Sequence, residues 1–448
     1  MLSPIAIERR IGKSHQGLNA NETIVSYSVM VGIIDLFCGT GGFSYGFETH
    51  PSDEYEVLLG LDKKGVAIET FHRNHSEAET IKGDIREWPP EKASTAAGID
   101  PENVQIIVGG PPCQGFSSIR PDRGGKGEDQ RNGLYTDFIE YVEYFKPDFF
   151  VMENVVGLAT HRDGETISRI VQSADEIGYR ADWRILNGAN FGLPQRRERL
   201  IMVGSRNGEQ IDFPVPTHQA NGRTIGYHDK SKVITAQPTL SDFKNKETLP
   251  EARTVMDAIS DLPNIQAGEE ATTYTNPPEN QYQASMRDGS QNLTLHKATN
   301  HGDKMMTIIR NSGSNKQETI TNLKENEGVD SSDEYISSGY SSSYSRIDPD
   351  LPSVTMTVNF IHPASNKCIH PRQDRALTPR EGARIQSFPD DFEFAGSRSD
   401  IVEQIGNAVP PLLGRVLGEH IIGMYDSAFE VDYRSCVIGK SQDRKVQI

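Results

Sequence analysis

The chain has 448 residues, long for a single hydrophobic core, so two domains or one domain with a large insertion are expected. Its 35% hydrophobic and 24% charged residues are ordinary for a soluble globular protein; the formal net charge of -17 argues against non-specific nucleic-acid binding over the whole surface, though a local basic cleft remains open. Cys38, Cys113, Cys368 and Cys436 stand far apart without zinc-ligand or redox spacing, which points to free thiols in a reducing compartment; Met1 to Val31 lacks a secretion signal, and no stretch is long and apolar enough to span a membrane.

Residues Met1 to Met30 are polar and aperiodic and read as an N-terminal extension. The apolar run Val31 to Phe37 is a buried strand that enters Cys38-Gly39-Thr40-Gly41-Gly42-Phe43-Ser44 directly. A strand, a glycine-rich turn and a helix cradle nucleotides, because glycine lets backbone N–H groups approach a ligand. Ser44 stands where a last fingerprint glycine would be, and no Gly-Lys-Ser/Thr follows, so a tight structural turn is an equal reading. Tyr55 to Leu61 is a second strand and ends at Asp62, about twenty residues past the glycines, where a ribose-binding carboxylate is expected. Gly65 to His75 can form a helix. Thr80 to Ile85 holds a third short strand that ends on Asp84, whose plainer reading is a solvated turn residue. Three successive strand ends carrying an acid or a glycine turn at one edge favour a ligand site.

A fourth strand, Ile106 to Gly109, leads into Gly110-Pro111-Pro112-Cys113-Gln114-Gly115-Phe116. The prolines fix φ, and Gly110 and Gly115 allow close approach of a backbone or a flat ligand. Cys113 lies beyond the apolar run, and alone it reads equally as a presented reactive thiol or a structural loop cysteine. The cationic, glycine-rich stretch Ile119 to Arg131 is either a loop that closes over a substrate and touches phosphates or a solvated connection. Leu134 to Phe145 has helical spacing, and Phe149 to Met152 is a buried strand ending at Glu153-Asn154. Burying an acid there is costly without a partner or a task, and a task is favoured. Trp183 to Leu186 and Arg199 to Val203 look like a strand pair. Between them Gln195-Arg196-Arg197-Glu198-Arg199 is either a solvated face or a set of cations converging on a substrate.

From Ser205 to about His370 the chain turns rich in proline, asparagine, threonine and serine, and reads as an inserted, loop-rich second domain. Within it Gly313 to Arg346, acidic and serine-rich, reads as flexible, and Val354 to Val358 alternates like a strand. Thr378-Pro379-Arg380-Glu381 is a capping box that starts a helix running to about Ser387. Gln404 to Pro411 reads as a glycine-proline turn that leads into an amphipathic helix through Leu412, Leu417 and Met424.

Taken together, Asp35 to Phe43, Gly109 to Ser117, Glu153-Asn154-Val155, Gln195 to Arg199 and Gln404 to Pro410 resemble the ordered motifs of the DNA (cytosine-5)-methyltransferases. The resemblance covers roughly Val31 to Gly204 and Tyr344 to Tyr425. It implies an α/β, Rossmann-like S-adenosylmethionine-dependent methyltransferase fold with a mixed, mostly parallel sheet and an inserted, smaller, irregular target-recognition domain. The implied division is an extension over 1–30, a catalytic and cofactor-binding part over 31–204, target recognition over 205–370, a catalytic return over 371–425 and a tail over 426–448.

The resemblance also implies roles. Phe37, Gly39, Thr40 and Gly41 would line the S-adenosylmethionine pocket, Asp62 would take the ribose hydroxyls, Asp84 and Ile85 would hold the adenine, and Asn407 and Val409 would close the pocket. Lys63 departs from members that place an adenine-stacking aromatic there. Cys113 would be the nucleophile, Glu153 the partner of the cytosine ring, and Arg197 and Arg199 supporting cations. Thiolate addition at C6 makes C5 enamine-like, a carboxyl at N3 offsets the developing charge, and the base must be flipped out of the duplex to be reached. The implied partner is double-stranded DNA in a bacterial or phage cytoplasm, with no metal, no membrane and a monomeric protein; a cognate restriction endonuclease is an open question, as is an orphan role. A tRNA cytosine-5 methyltransferase of the same fold is the nearest rival, and the long insert favours DNA. The acidic balance is reconciled with DNA binding if the basic groups concentrate in the cleft.

Overall fold

The computed structural model describes residues 30–51, 54–112, 133–206, 208, 211–220, 227, 229–234, 249–328, 335–336 and 340–425. Cys113, the Ile119 to Arg131 loop, the N-terminal extension up to residue 29, the serines near 331 and the tail beyond 425 lie outside them.

Eight strands form one sheet in the order β3-β2-β1-β4-β5-β7-β6-β8. They are β1 Val31–Leu36, β2 Tyr55–Asp62, β3 Glu79–Lys82, β4 Ile106–Gly109, β5 Phe149–Asn154, β6 Arg180–Asn187, β7 Glu198–Ser205 and β8 Val233–Ile234. The first five are parallel, whereas β7 runs antiparallel to both β5 and β6. The sheet is therefore mixed and mostly parallel, as expected. β1 and β4 are buried along their whole length, which is why β4 reads in the sequence as an apolar run and β1 as one interrupted only by the buried Asp35.

Side chains of β1 alternate between two cores. Ile34 and Leu36 face a cluster containing Phe138, Tyr141 and Val142 of α4 (Leu134–Phe145), with contributions from α3 (Pro90–Ala97) and α5 (Glu165–Glu176). Val31 and Ile33 face Phe43 and Phe47 of α1 (Gly42–Glu48) and the helical segment 411–425, here α12. On that second side α2 (Gly65–Asn74) packs Ile68 and Phe71 against Val57. Helices thus cover both faces, and the crevice at the carboxyl ends of β1 and β4 is where the strand order reverses. Open α/β sheets bind ligands at such a point.

A further apolar core lies beyond the sheet. It joins α6 (Val255–Ile259) and Tyr282 of α7 (Gln281–Arg287) to Ile347, Met356, Phe360, α10 (Pro379–Ile385) and α11 (Arg398–Asn407), so residues on both sides of position 370 share one core. The predicted capping box is present: Thr378 accepts from the Glu381 N–H, and Glu381 accepts from the Thr378 N–H. α10 is entirely buried and carries Arg380, Glu381 and Arg384. Arg384 pairs with Asp390 at 2.6 Å and with Asp261, and Arg375 pairs with Glu381 at 2.6 Å. Burial alone would raise Glu381, but the Arg375 guanidinium holds it well below the usual carboxylate range. Removing one partner of such a pair costs about 3–5 kcal/mol. The Arg384–Asp261 pair and the bond from Arg380 Nη2 to Thr294 Oγ1 at 2.6 Å join α10 to the middle of the chain.

Three local expectations are corrected. Val354 to Val358 is not a strand: one bridge joins Ser353 to Gln195, and the Met356 N–H goes to the Gln195 side chain at 2.9 Å. The Gly313 to Arg346 stretch, read as flexible, contains a regular helix, α9 (Lys316–Glu327), which comes after α8 (Asp303–Arg310); Asn315 caps α9 and Gly328 ends it in the left-handed region. Gln404 to Asn407 is the last turn of α11, and the turn proper begins at Ala408.

Candidate active site

The glycine turn is built from residues in unusual conformations. Phe37, Gly39 and Gly41 all have positive φ, at 56°, 53° and 81°. For Phe37 that conformation costs about 1–3 kcal/mol, and such strain concentrates at functional sites. The Gly39 N–H donates to Asp62 Oδ2 at 3.0 Å, so the acid at the end of β2 holds the turn at the end of β1. Asp62 Oδ1 accepts from the Lys64 N–H at 2.8 Å, and a carboxylate has lone pairs left for further donors. A Cβ on Gly39 would meet nothing within 4 Å, and the buried Thr40 hydroxyl has no hydrogen-bond partner among the described residues. Open space beside a glycine and an orphaned hydroxyl fit a bound polar ligand such as the nucleoside part of S-adenosylmethionine.

At the next strand end Asp84 is engaged by its neighbour. It accepts from Arg86 Nε at 2.8 Å and Nη2 at 2.6 Å, and these bonds lower its pKa to about 2. Its carboxylate is therefore already occupied, and contact with an adenine would share it with Arg86. Ile85 is buried in the core beside it. From the other side α12 closes on α1 at backbone contact. A Cβ on Gly42 would lie 2.6 Å from the Val409 carbonyl, and one on Gly46 would lie 2.0 Å from the Pro411 carbonyl. Val409 is half-buried next to the turn, and Asn407 is exposed at the end of α11.

The second half of the site lies across β4 and β5. Glu153 pairs with Arg199 Nε at 2.6 Å, each side chain 13% exposed. Topology explains the meeting. Because β7 is antiparallel to β5, Glu153 pairs with Ile201 and Asn154 with Leu200, so the start of β7 lies beside the end of β5. A parallel β7 would carry Arg199 to the far edge. The other oxygen of Glu153, Oε2, lies 3.2 Å from where a Cβ on Gly110 would be. Asn154 Nδ2 donates to the Pro111 carbonyl at 3.0 Å and fixes the double-proline turn to β5. Cys113 comes directly after Pro112, outside the described residues.

Arg197 sits elsewhere. It is 2% exposed and donates to the carbonyls of Met356 at 3.3 Å, Gly406 at 3.3 Å and Ala408 at 2.8 Å. Burial, with Arg199 nearby, pushes its pKa well below the usual guanidinium range, and three carbonyl oxygens offset that cost. It fastens the 195–199 turn to the segments that carry Asn407 and Val409. The fastening roles of Gln195 and Asn154 have no signature in the sequence. Gln195 donates to Gln386 Oε1 at 2.8 Å, and a partner so distant in sequence leaves no spacing signal.

The family model for C-5 cytosine-specific DNA methylases matches residues 31–423. The chain is 34% identical to the type II methyltransferase M.AgeI of Thalassovita gelatinovora over 436 residues, covering 87% of this chain and 98% of that one. It is also 34% identical to M.DdeI of Desulfomicrobium norvegicum, over 88% and 89% of the two chains. Among solved structures, a putative DNA modification methyltransferase encoded within an E. coli prophage shares the fold, with a TM-score of 0.64 at 21% identity over 88% of this chain and 99% of that one. The chain belongs to the C-5 cytosine-specific DNA methylase family and is a DNA (cytosine-5)-methyltransferase.

Proposed function

We propose that the protein transfers a methyl group from S-adenosylmethionine to C5 of a flipped-out cytosine in a specific double-stranded DNA sequence, through a covalent bond between Cys113 and C6. The observation that carries the reading is the Glu153–Arg199 pair set against Gly110 of the turn that leads to Cys113. S-adenosylmethionine, when bound, supplies an electrophilic methyl group on a sulfonium. The remaining work belongs to the chain. The Cys113 thiolate adds to C6 and breaks the ring's aromaticity, which gives C5 the character of an enamine carbon. The added electron pair moves toward N3, where the Glu153 carboxyl offsets it. Arg199 holds Glu153 Oε1, which leaves Oε2 on the side of the cysteine turn. After methylation, loss of the C5 proton and expulsion of the thiolate restore the ring. Phe37, Gly39, Thr40, Gly41, Asp62, Asp84, Ile85, Asn407 and Val409 are the proposed donor pocket. Residues 205–370 are the proposed target-recognition part.

Arg197 acts in this reading as a fastener rather than a cation on the base. Arg197→Lys keeps the charge but cannot reach three carbonyls with one ammonium. It is expected to raise KM for the methyl donor and to lower the melting temperature by roughly 5 °C or more, with KM for DNA little changed. Thermal melts and steady-state kinetics check this, and an effect confined to the DNA KM would place Arg197 on the base instead.

The function is tested by tritium-methyl transfer from S-adenosylmethionine to duplex DNA and, in parallel, to tRNA. Label in duplex DNA at cytosine C5 is the expected result, and label in tRNA alone would favour the RNA enzyme. Type II DNA methyltransferases among the relatives support the DNA reading. Bisulfite sequencing of the same product reads out the recognition sequence.

A further inference from the structure

We propose that His75 is a positioning residue for the methyl donor, bracing the glycine turn from beneath; this rests on the reading of that turn as the donor's site. His75 comes just after the last residue of α2 and is 1% exposed. Its Nε2 lies 3.2 Å from the Gly41 carbonyl oxygen and 3.5 Å from Ser44 Oγ, and its Nδ1 lies 2.5 Å from Glu48 Oε2. The ring lies on Phe71 at 4.3 Å between centroids. One imidazole thus bridges the N-cap carbonyl of α1 and the last side chain of the same helix.

The contact with the turn is direct. A Cβ on Gly41 would lie 2.5 Å from His75 Nε2, so the backbone rests on the imidazole with no side chain between them. Ser44 Oγ in turn donates to Asp35 Oδ2 at 2.6 Å, which ties the brace to β1 just before the turn begins. The turn is then held at two points. Asp62 takes the Gly39 N–H, and His75 faces the Gly41 carbonyl. Between the two points stands Thr40, whose hydroxyl is the orphaned group of the pocket. Fixing both neighbours presents that hydroxyl and the adjacent backbone in one geometry. Loss of one clamp lets the turn sample others, and the binding affinity falls by the fraction of time the competent geometry is absent.

The experiment uses the full chain without DNA. Isothermal titration calorimetry measures binding of S-adenosylmethionine and S-adenosylhomocysteine to the unaltered protein, to His75→Phe and to His75→Gln. Phenylalanine keeps the ring on Phe71 and removes both polar contacts; glutamine returns one N–H donor. We expect His75→Phe to weaken binding of both ligands about tenfold and to raise KM for the donor in parallel, with KM for DNA and the saturated kcat within about twofold. His75→Gln recovers part of the loss. A lowered melting temperature with unchanged ligand affinity, measured well below that temperature, would overturn the proposal by reducing His75 to a structural residue. If His75→Phe does not fold, Glu48→Gln and Ser44→Ala remove the brace from its two ends: weakened donor binding supports the proposal and unchanged binding overturns it. Binding by the unaltered protein with unchanged binding by His75→Phe removes the brace alone. No binding by the unaltered protein removes the reading of the turn as well.

Discussion

Cys113→Ser is expected to lower methyl transfer to duplex DNA by about a thousandfold or more while leaving donor binding within a few-fold. The size reflects the role of the sulfur. Cytosine C5 has little nucleophilic character while the ring is aromatic, and only addition at C6 changes that. A serine hydroxyl at the same place is almost wholly protonated at neutral pH and adds poorly. The proposed donor pocket is built on β1 to β3, on the other side of the crevice, so calorimetry with S-adenosylmethionine separates the lost chemistry from a lost fold. A variant that methylated at the original rate would remove Cys113 from the reaction.

Glu153→Gln has the second-largest expected effect, a fall in kcat of about a hundredfold to a thousandfold with little change in stability. Glutamine has nearly the shape of glutamate, and its amide oxygen can still accept from Arg199 Nε, the bond seen at 2.6 Å. What it cannot do is offer a carboxyl to N3 as charge builds there. Glu153→Ala is a poorer test, because it leaves a nearly buried Arg199 without its acid and so adds a stability loss. Single-turnover methylation and urea unfolding of the glutamine variant together check both halves. A variant with wild-type turnover would move the N3 role to another group.

Much of this site was legible in the chain because parallel strands announce themselves. β4 is an apolar run and β1 is one broken only by the buried Asp35, so their ends are plain, and the glycine turn after one and the double proline after the other lie at the sheet's ligand edge. Asp62 and Glu153 were visible for the same reason. Each is an acid at or beside the end of a buried strand, and both carboxylates hold a partner at the crevice.

The rest depended on partners distant in sequence. Arg197 and Arg199 look alike in a run of arginines, yet Arg199 is the second residue of β7 and pairs with Glu153, whereas Arg197 precedes the strand and turns toward carbonyls near 356 and 406–408. Nothing local distinguishes the two. The alternation of Val354 to Val358 suggested a strand, but the Met356 N–H goes to the Gln195 side chain, the Met356 carbonyl accepts from Arg197, and the single bridge lies at Ser353. α9 was hidden in a polar, serine-rich context because it buries only Thr319 and Leu323, so it has little apolar stripe to read. His75 looked like the end of a helix, and its role emerges only once α1 and α2 are packed side by side.

Methylation of cytosine through a cysteine adduct in this crevice is open to a direct measurement. The protein and S-adenosylmethionine are incubated with duplex DNA that carries 5-fluorocytosine at the recognition site, and the products are separated by denaturing electrophoresis. After methyl transfer no proton remains on C5, and fluorine cannot leave as a cation, so the thiolate cannot be expelled. The expected result is a denaturation-stable protein–DNA band that requires the methyl donor, maps to Cys113 by peptide mass spectrometry and is absent in Cys113→Ser. Methylation of ordinary duplex DNA with no such band, or a band that persists in Cys113→Ser, would contradict the cysteine adduct.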